Sequence, residues 1–91
     1  MTDTLILRTR PSTVEARQVT ADQDARRELA LWVGGWTYGM THVRWYNAQR
    51  GQVVSAGIGE WIVRGPFGEH EPVSDSALFA QYERVLPEVA E

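Results

Sequence analysis

Gly59-Glu60-Trp61-Ile62-Val63-Arg64-Gly65-Pro66-Phe67-Gly68-Glu69-His70-Glu71-Pro72-Val73 reads as one β-hairpin. In Gly65-Pro66-Phe67-Gly68 the proline presets φ at the second position of a type I turn, and Gly68 takes the left-handed conformation that closes it. This is the chemistry of a three-residue hairpin loop with a bulge at glycine. The register follows: Arg64 faces His70, Val63 faces Glu71 and Ile62 faces Pro72. Side chains alternate along a strand, so Trp61 and Val63 share a face with Glu69 and Glu71. Ile62, Arg64, His70 and Pro72 share the other. Pro72 has no N–H for a ladder, which predicts a second strand that is short or lies at a sheet edge.

Upstream of the hairpin, residues 52–56 predict a strand and Gly57-Ile58-Gly59 a turn. Residues 42–46 alternate, with Val43 and Trp45 on one side; residues 47–51 are polar and turn-like, and residues 36–41 read as a loop with two aromatics. Ala25, Leu29, Trp32 and Val33 recur at helical spacing, and Gly34-Gly35 ends that helix. Thr20 with Gln23 has capping-box spacing, and Asp22 and Asp24 suit a helix N-terminus. Residues 4–9 and 14–19 predict two more strands, separated at Pro11. Downstream, Ser74 or Asp75 caps a short helix carrying Ala77, Leu78 and Phe79. Residues 82–86 fit a continuing helix or a final strand; Pro87 ends them, before a frayed acidic tail. The expectation is one α+β domain over residues 1–91: a small, mainly antiparallel sheet packed against one main helix, with a short C-terminal helix.

Composition narrows the function classes. The chain has 91 residues, 43% of them hydrophobic, no cysteine and a net charge of −3. Disulfides and thiolate metal sites are excluded, and a reducing cytoplasm is compatible. No apolar run is long enough to cross a membrane, and residues 5–7 are too short a run for a signal peptide. The charge offers no general attraction to phosphate backbones, so nucleic acid is an unfavoured partner. All nine basic residues are arginine; bidentate anion recognition would use them, but a GC-rich coding bias is the favoured reading.

The hairpin resembles the P-G-D-[YW]-[IV]-[IV]-x-G-x-x-G-E signature of a family of small tailed-phage and prophage proteins of unknown function. Here it reads Ile58-Gly59-Glu60-Trp61-Ile62-Val63-Arg64-Gly65-Pro66-Phe67-Gly68-Glu69. Residues 11–19 are similar to that family's P-x-x-V-E-A-x-Q followed by an aromatic, through Pro11, Val14, Glu15, Ala16 and Gln18. Pro72 and Tyr82-Glu83 keep the spacing of its P…Y-E. Ile58 stands in place of proline, Glu60 in place of aspartate and Val19 in place of the aromatic, and Leu78 falls where the family has phenylalanine. The resemblance implies a phage accessory role in the host cytoplasm and supplies no mechanism. Glu15, Gln18, Gly59, Gly65, Gly68, Glu69 and Tyr82 are its structural positions.

Candidate sites divide by chemistry. Glu69 and Glu71, with Glu60 nearby, are the carboxylates an enzyme would use; charge protecting an edge strand is the structural alternative. Glu15 and Gln18 read as a buried polar pair or a network fixing strand order. His70 near Ser74 and Asp75 lacks a nucleophile motif and pairs across the hairpin with Arg64; His42 and His70 lack metal-ligand spacing. Neither a cofactor nor a metal is expected. Trp36, Tyr38 and Phe67, placed in loops, and Trp61, also a core candidate, read as anchors for a partner, with Arg44 and Arg64 adding polar contacts. The favoured function is a non-enzymatic module binding a host or phage protein, with homodimerisation open to it. The alternative is a nucleotide binder in which Arg44, Arg64 and the aromatics clasp phosphate and base.

Overall fold

The computed structural model describes residues 4–9 and 12–84, with side chains over 4–6 and 14–82. The elements run β1 (Thr4–Thr9), β2 (Ser12–Gln18), α1 (Gln23–Val33), β3 (Trp36–Tyr38), β4 (His42–Asn47), β5 (Gln52–Gly57), β6 (Trp61–Arg64), β7 (His70–Val73), α2 (Asp75–Gln81) and β8 (Glu83–Arg84). The α+β class with one main helix and a short C-terminal one is as expected. The strands form two antiparallel sheets, ordered β7-β6-β2-β1-β8 and β3-β4-β5.

Strand β6 organises the molecule. Trp61, Ile62 and Val63 are all buried, the pattern of a strand covered on both faces. Ile62 points to a core with Val19, Leu29, Ala30, Val43, Trp45, Val54 and Ala56, which joins the five-stranded sheet to α1 and the inner face of the three-stranded sheet. Trp61 and Val63 point the other way, to a core with Val14, Ala16 and Leu78 that α2 covers, with Tyr82 packed against it. The predicted hairpin register is the observed one: Arg64 pairs with His70, Val63 with Glu71 and Ile62 with Pro72. Strand β7 lies at a sheet edge, where the missing N–H of Pro72 costs no ladder bond.

Several local readings change. Helix α1 is capped by Asp22, whose carboxylate accepts from the Asp24 N–H, so the cap is not Thr20; Thr20 Oγ1 accepts from the Asp22 N–H at 3.4 Å. Asp is as good an N-cap as Ser or Thr, and the apolar stripe starts only at Ala25. The helix ends at Gly34 in the left-handed conformation, as expected. Residues 36–38 form β3, paired with β4 through Trp36–Arg44, Thr37–Val43 and Tyr38–His42, where a loop was expected. Three residues are too few to show a period, and only the pairing reveals the strand. After α2, Tyr82 is the cap and Glu83–Arg84 pair with β1 as β8. Pro11, Pro87 and the acidic tail lie outside the described residues.

Asn47, expected in a polar turn, is buried at the end of β4. Its Nδ2 donates to the His70 carbonyl (2.9 Å) and to Glu71 Oε2 (2.8 Å). Trp45 Nε1 donates to the same carbonyl at 3.1 Å. Arg50 closes the bracket with an ion pair to Glu71 at 2.6 Å. The Asn47 Oδ1 meanwhile accepts from the Arg50 N–H at 3.0 Å, holding the turn that brings Arg50 round. An edge-strand carbonyl in a partly dry place is thus satisfied by two donors from the other sheet. Asn47→Ala should lower stability by about 2 kcal/mol, since a buried carbonyl and a carboxylate each lose a donor. Arg27→Ala, which removes an exposed 3.4 Å pair with Asp24, should change it by less than about 0.5 kcal/mol. Urea denaturation of the two variants measures the difference, and equal midpoints would deny the bracket any role in stability.

Candidate interaction surface

The outer face of the three-stranded sheet follows from its register. Trp36, Arg44 and Ser55 form one cross-strand row, Tyr38, His42 and Gly57 a second, and Tyr46 and Val53 a third. The inner positions Val43, Trp45, Val54 and Ala56 are buried. On the outer face Trp36, Tyr38, Tyr46 and Val53 are 45–60% exposed, a cluster of apolar side chains that is a candidate contact surface. The Arg44 guanidinium lies over the Tyr38 ring at 3.8 Å, which places its charge on an aromatic platform. The Arg44 Nε is buried there without a hydrogen-bond partner. Two of the expected anchors, Trp36 and Tyr38, and one of the expected polar contacts, Arg44, therefore meet on one face. Tyr46 and Val53 belong with them, and the alternation within residues 42–46 already put Tyr46 on the side opposite Val43 and Trp45.

The hairpin candidates separate. Trp61 is 5% exposed; its Nε1 donates to Asp75 Oδ1 at 2.9 Å and its ring meets Phe79 edge-on. It is a core residue and leaves the list of partner anchors, because α2 covers its face of the sheet. Phe67 is 88% exposed at the hairpin tip and lines a 350 Å³ cavity with Val33, Tyr46 and His70. Arg64 is exposed, in the cross-strand row Glu15–Arg64–His70 of the five-stranded sheet. It shares a face with the inward Ile62, whereas Arg44 points away from that core. The structure does not bring Arg44 and Arg64 together, so the expected nucleotide clasp is not assembled.

The three hairpin carboxylates hold the backbone and an arginine. Glu60 Oε1 accepts from the Gly57 N–H at 2.6 Å. Its own N–H donates to the Gly57 carbonyl, closing a turn in which Gly59 has φ 96°. That value at the third turn position is the type II geometry that wants glycine. The Ile58 N–H donates to the Thr41 carbonyl at 3.0 Å, a bond the proline of the phage signature could not make. Glu69 Oε1 accepts from the Phe67 N–H at 3.0 Å, and a Cβ on Gly65 would collide with that carboxylate. The turn itself is as predicted: Gly68 donates to Gly65 O at 3.1 Å and has φ 85°. Glu71 belongs to the Arg50–Asn47 bracket. Glu60 and Glu69 sit at opposite ends of β6, each accepting a backbone N–H. Of the expected carboxylate group, Glu69 and Glu71 line one cavity with Arg50, and Glu60 is not part of it.

Glu15 and Gln18 point to opposite faces of β2 and are no pair. Glu15 Oε2 accepts from Arg17 Nε at 2.9 Å, and the Arg17 guanidinium lies 4.4 Å from the Trp32 ring centroid. Gln18 Nε2 donates to the Gly59 carbonyl at 3.2 Å, beside the mutual backbone bonds of Val19 with Gly59 and Glu60. Gln18 thus ties β2 to the turn before β6, whereas Glu15 holds a neighbour on its own strand. His70 is half-buried with its ring edge-on to Trp32 at 4.8 Å, so its pairing with Arg64 is not an exposed one. Burial pushes its pKa down from 6.5, and the Arg64 guanidinium pushes the same way against Glu69 and Glu15.

Beside this geometry, the chain matches no family model, and neither a curated protein nor a solved structure is similar to it. Among the described residues no helix is long and apolar enough to cross a membrane.

Gly65→Ala should cost about 1–2 kcal/mol by driving the Glu69 carboxylate off the Phe67 N–H. In a Glu69→Ala background the same change should cost close to nothing. A double-mutant cycle reads this as a coupling of about 1 kcal/mol, and additive values would separate the two residues. For His70 the folded pKa lies below the unfolded 6.5. Between them the unfolded chain binds more proton, so stability is complete above 6.5 and declines as pH falls towards the folded value. The urea midpoint followed against pH should show that decline in wild type and lose it in His70→Gln; an identical slope in the variant assigns it to other groups.

Proposed function

We propose that the chain is a non-enzymatic protein-binding module, a phage or prophage accessory protein that engages a host or phage protein in the host cytoplasm. The carrying observation is the outer face of β3, β4 and β5, where Trp36, Tyr38, Tyr46 and Val53 surround Arg44 in the open. Rigid aromatic side chains with one arginine are the composition of interface anchors. They stand on strands whose inner faces are packed, so they are held in place before a partner arrives, and little ordering entropy is lost on contact. The phage setting rests on the likeness of residues 11–19, 58–69, 72 and 82–83 to the phage signature.

A second reading has one observation in its favour. A 430 Å³ cavity on the α2 side of the hairpin is walled by Val14, Val63, Val73 and Tyr82, with Arg50 and Glu71 at its polar side. Its size and apolar walls suit a small organic ligand. It does not contain Arg44 or Arg64, so the nucleotide chemistry expected of those arginines does not carry over to it.

Affinity capture from host lysate discriminates. Wild-type protein should retain a protein that Trp36→Ser/Tyr46→Ser loses and that Val73→Ala retains, with all three melting normally. Mass spectrometry of small molecules in the same eluates tests the cavity. A ligand lost only from Val73→Ala transfers the function there, and capture indifferent to Trp36 and Tyr46 removes the basis of the proposal.

A further inference from the structure

We infer that the outer face of β3, β4 and β5 docks an extended protein segment bearing one carboxylate between apolar side chains, with that carboxylate meeting Arg44. The inference rests on the binding-module reading and names the chemistry of its partner. Every outward position on the three strands can be named from the register: Trp36, Tyr38, His42, Arg44, Tyr46, Val53, Ser55 and Gly57. None is acidic. The chain as a whole has twelve acidic residues against nine basic ones, so a face with a guanidinium and no carboxylate runs against the charge of the protein. Among the described residues Arg44 makes no ion pair; its recorded contact is the Tyr38 ring. Arg17 and Arg50, in contrast, each hold a carboxylate. The Tyr38 ring, its centroid 3.8 Å from the guanidinium carbon, holds the Arg44 charge at this face, and a guanidinium meets a carboxylate in bidentate geometry.

The same inventory decides among occupants. A second copy laid face to face would present another Arg44 and no anion, so like charges would meet near the two-fold axis of a self-complementary interface. Single-stranded nucleic acid also stacks on aromatics, but it needs a basic groove that tracks successive phosphates. Here one arginine stands among apolar rings on a protein of net charge −3. One anionic group flanked by apolar ones is what the face complements. Strand β3 ends the sheet order β3-β4-β5, and its three residues are exposed along their length. A segment added alongside β3 would extend that sheet by backbone bonds and set alternate side chains beside Trp36 and Tyr38.

A phage-displayed library of random dodecapeptides, panned on the full chain and counter-selected on Trp36→Ser/Tyr46→Ser, tests this. Circular dichroism should first show that each variant melts as wild type does. The expected enriched sequences carry an aspartate or glutamate flanked by apolar residues. For a synthetic peptide of that sequence, calorimetry should find the amide isostere about tenfold weaker on wild type. Arg44→Gln should erase that difference, while Arg44→Lys keeps part of it. Enriched peptides without a carboxylate, or an isostere that binds equally, overturn the inference and leave the binding module standing if Trp36 and Tyr46 are still needed. Failure to enrich any peptide dependent on Trp36 and Tyr46 overturns both. A twelve-nucleotide oligo-dT that binds this face more tightly than any peptide overturns it in favour of nucleic acid. Self-association abolished by Trp36→Ser/Tyr46→Ser overturns it in favour of a second copy.

Discussion

The carbonyl of His70 accepts two hydrogen bonds from the opposite sheet, from the Trp45 indole and the Asn47 amide, and the arrangement of the two sheets depends on them. Strand β7 is an edge strand, and an edge exposes carbonyls and N–H groups that must find water or a partner. In most sheets water does this. Here the edge abuts the three-stranded sheet, and an unsatisfied carbonyl would cost as much as a lost buried hydrogen bond. Two donors and the Arg50–Glu71 ion pair turn that liability into the joint between the sheets. The joint also sets the inner and outer faces of β4. With Trp45 and Asn47 drawn inward, Arg44 and Tyr46 have only the outside left to them.

The hairpin signature is explained by backbone chemistry at both ends of β6. Glu60 holds the turn before the strand and Glu69 the turn after it, each by accepting a backbone N–H. Gly65 makes room for the second carboxylate, and Gly59 and Gly68 supply the positive φ values of the two turns. A pattern of glycine and glutamate that invites a catalytic interpretation is therefore a pair of clamps on one central strand. Those clamps matter because β6 is the strand shared by both cores: a slip of one residue would send Ile62 and Trp61 into each other's environments.

The proposed contact surface lies away from the signature. Glu60, Glu69, Trp61 and the His70 carbonyl all have partners within the protein, which leaves Arg64 and the tip residue Phe67 among the exposed side chains of the hairpin strands and turn that could reach a ligand. The three-stranded sheet is the reverse. Among the described residues, nothing covers the rings of its outer face and no carboxylate pairs with its guanidinium. The difference comes from layering. The five-stranded sheet has α2 on one side and α1 with the smaller sheet on the other, whereas among the described residues the smaller sheet has a packed layer on its inner side alone.

Turn chemistry, periodicity and the hydrogen-bond capacity of proline and glycine are local properties, and the sequence by itself determined what depends on them. The hairpin register, the edge position of β7, the end of α1 at Gly34 and the α+β class were all legible. Trp36, Tyr38 and Arg44 were legible only as members of a longer candidate list with Trp61, Arg64 and Phe67; their meeting on one face was not, nor the strand that carries two of them. Long-range pairing decided the rest. Whether Trp61 faced a partner or a core depended on where α2 packs, and whether Asn47 was a solvated turn or a buried donor depended on the neighbour of β7. Whether two arginines shared a surface depended on a division into two sheets. Alternation along a strand says that successive side chains face opposite ways; only the tertiary structure says which of those ways is covered.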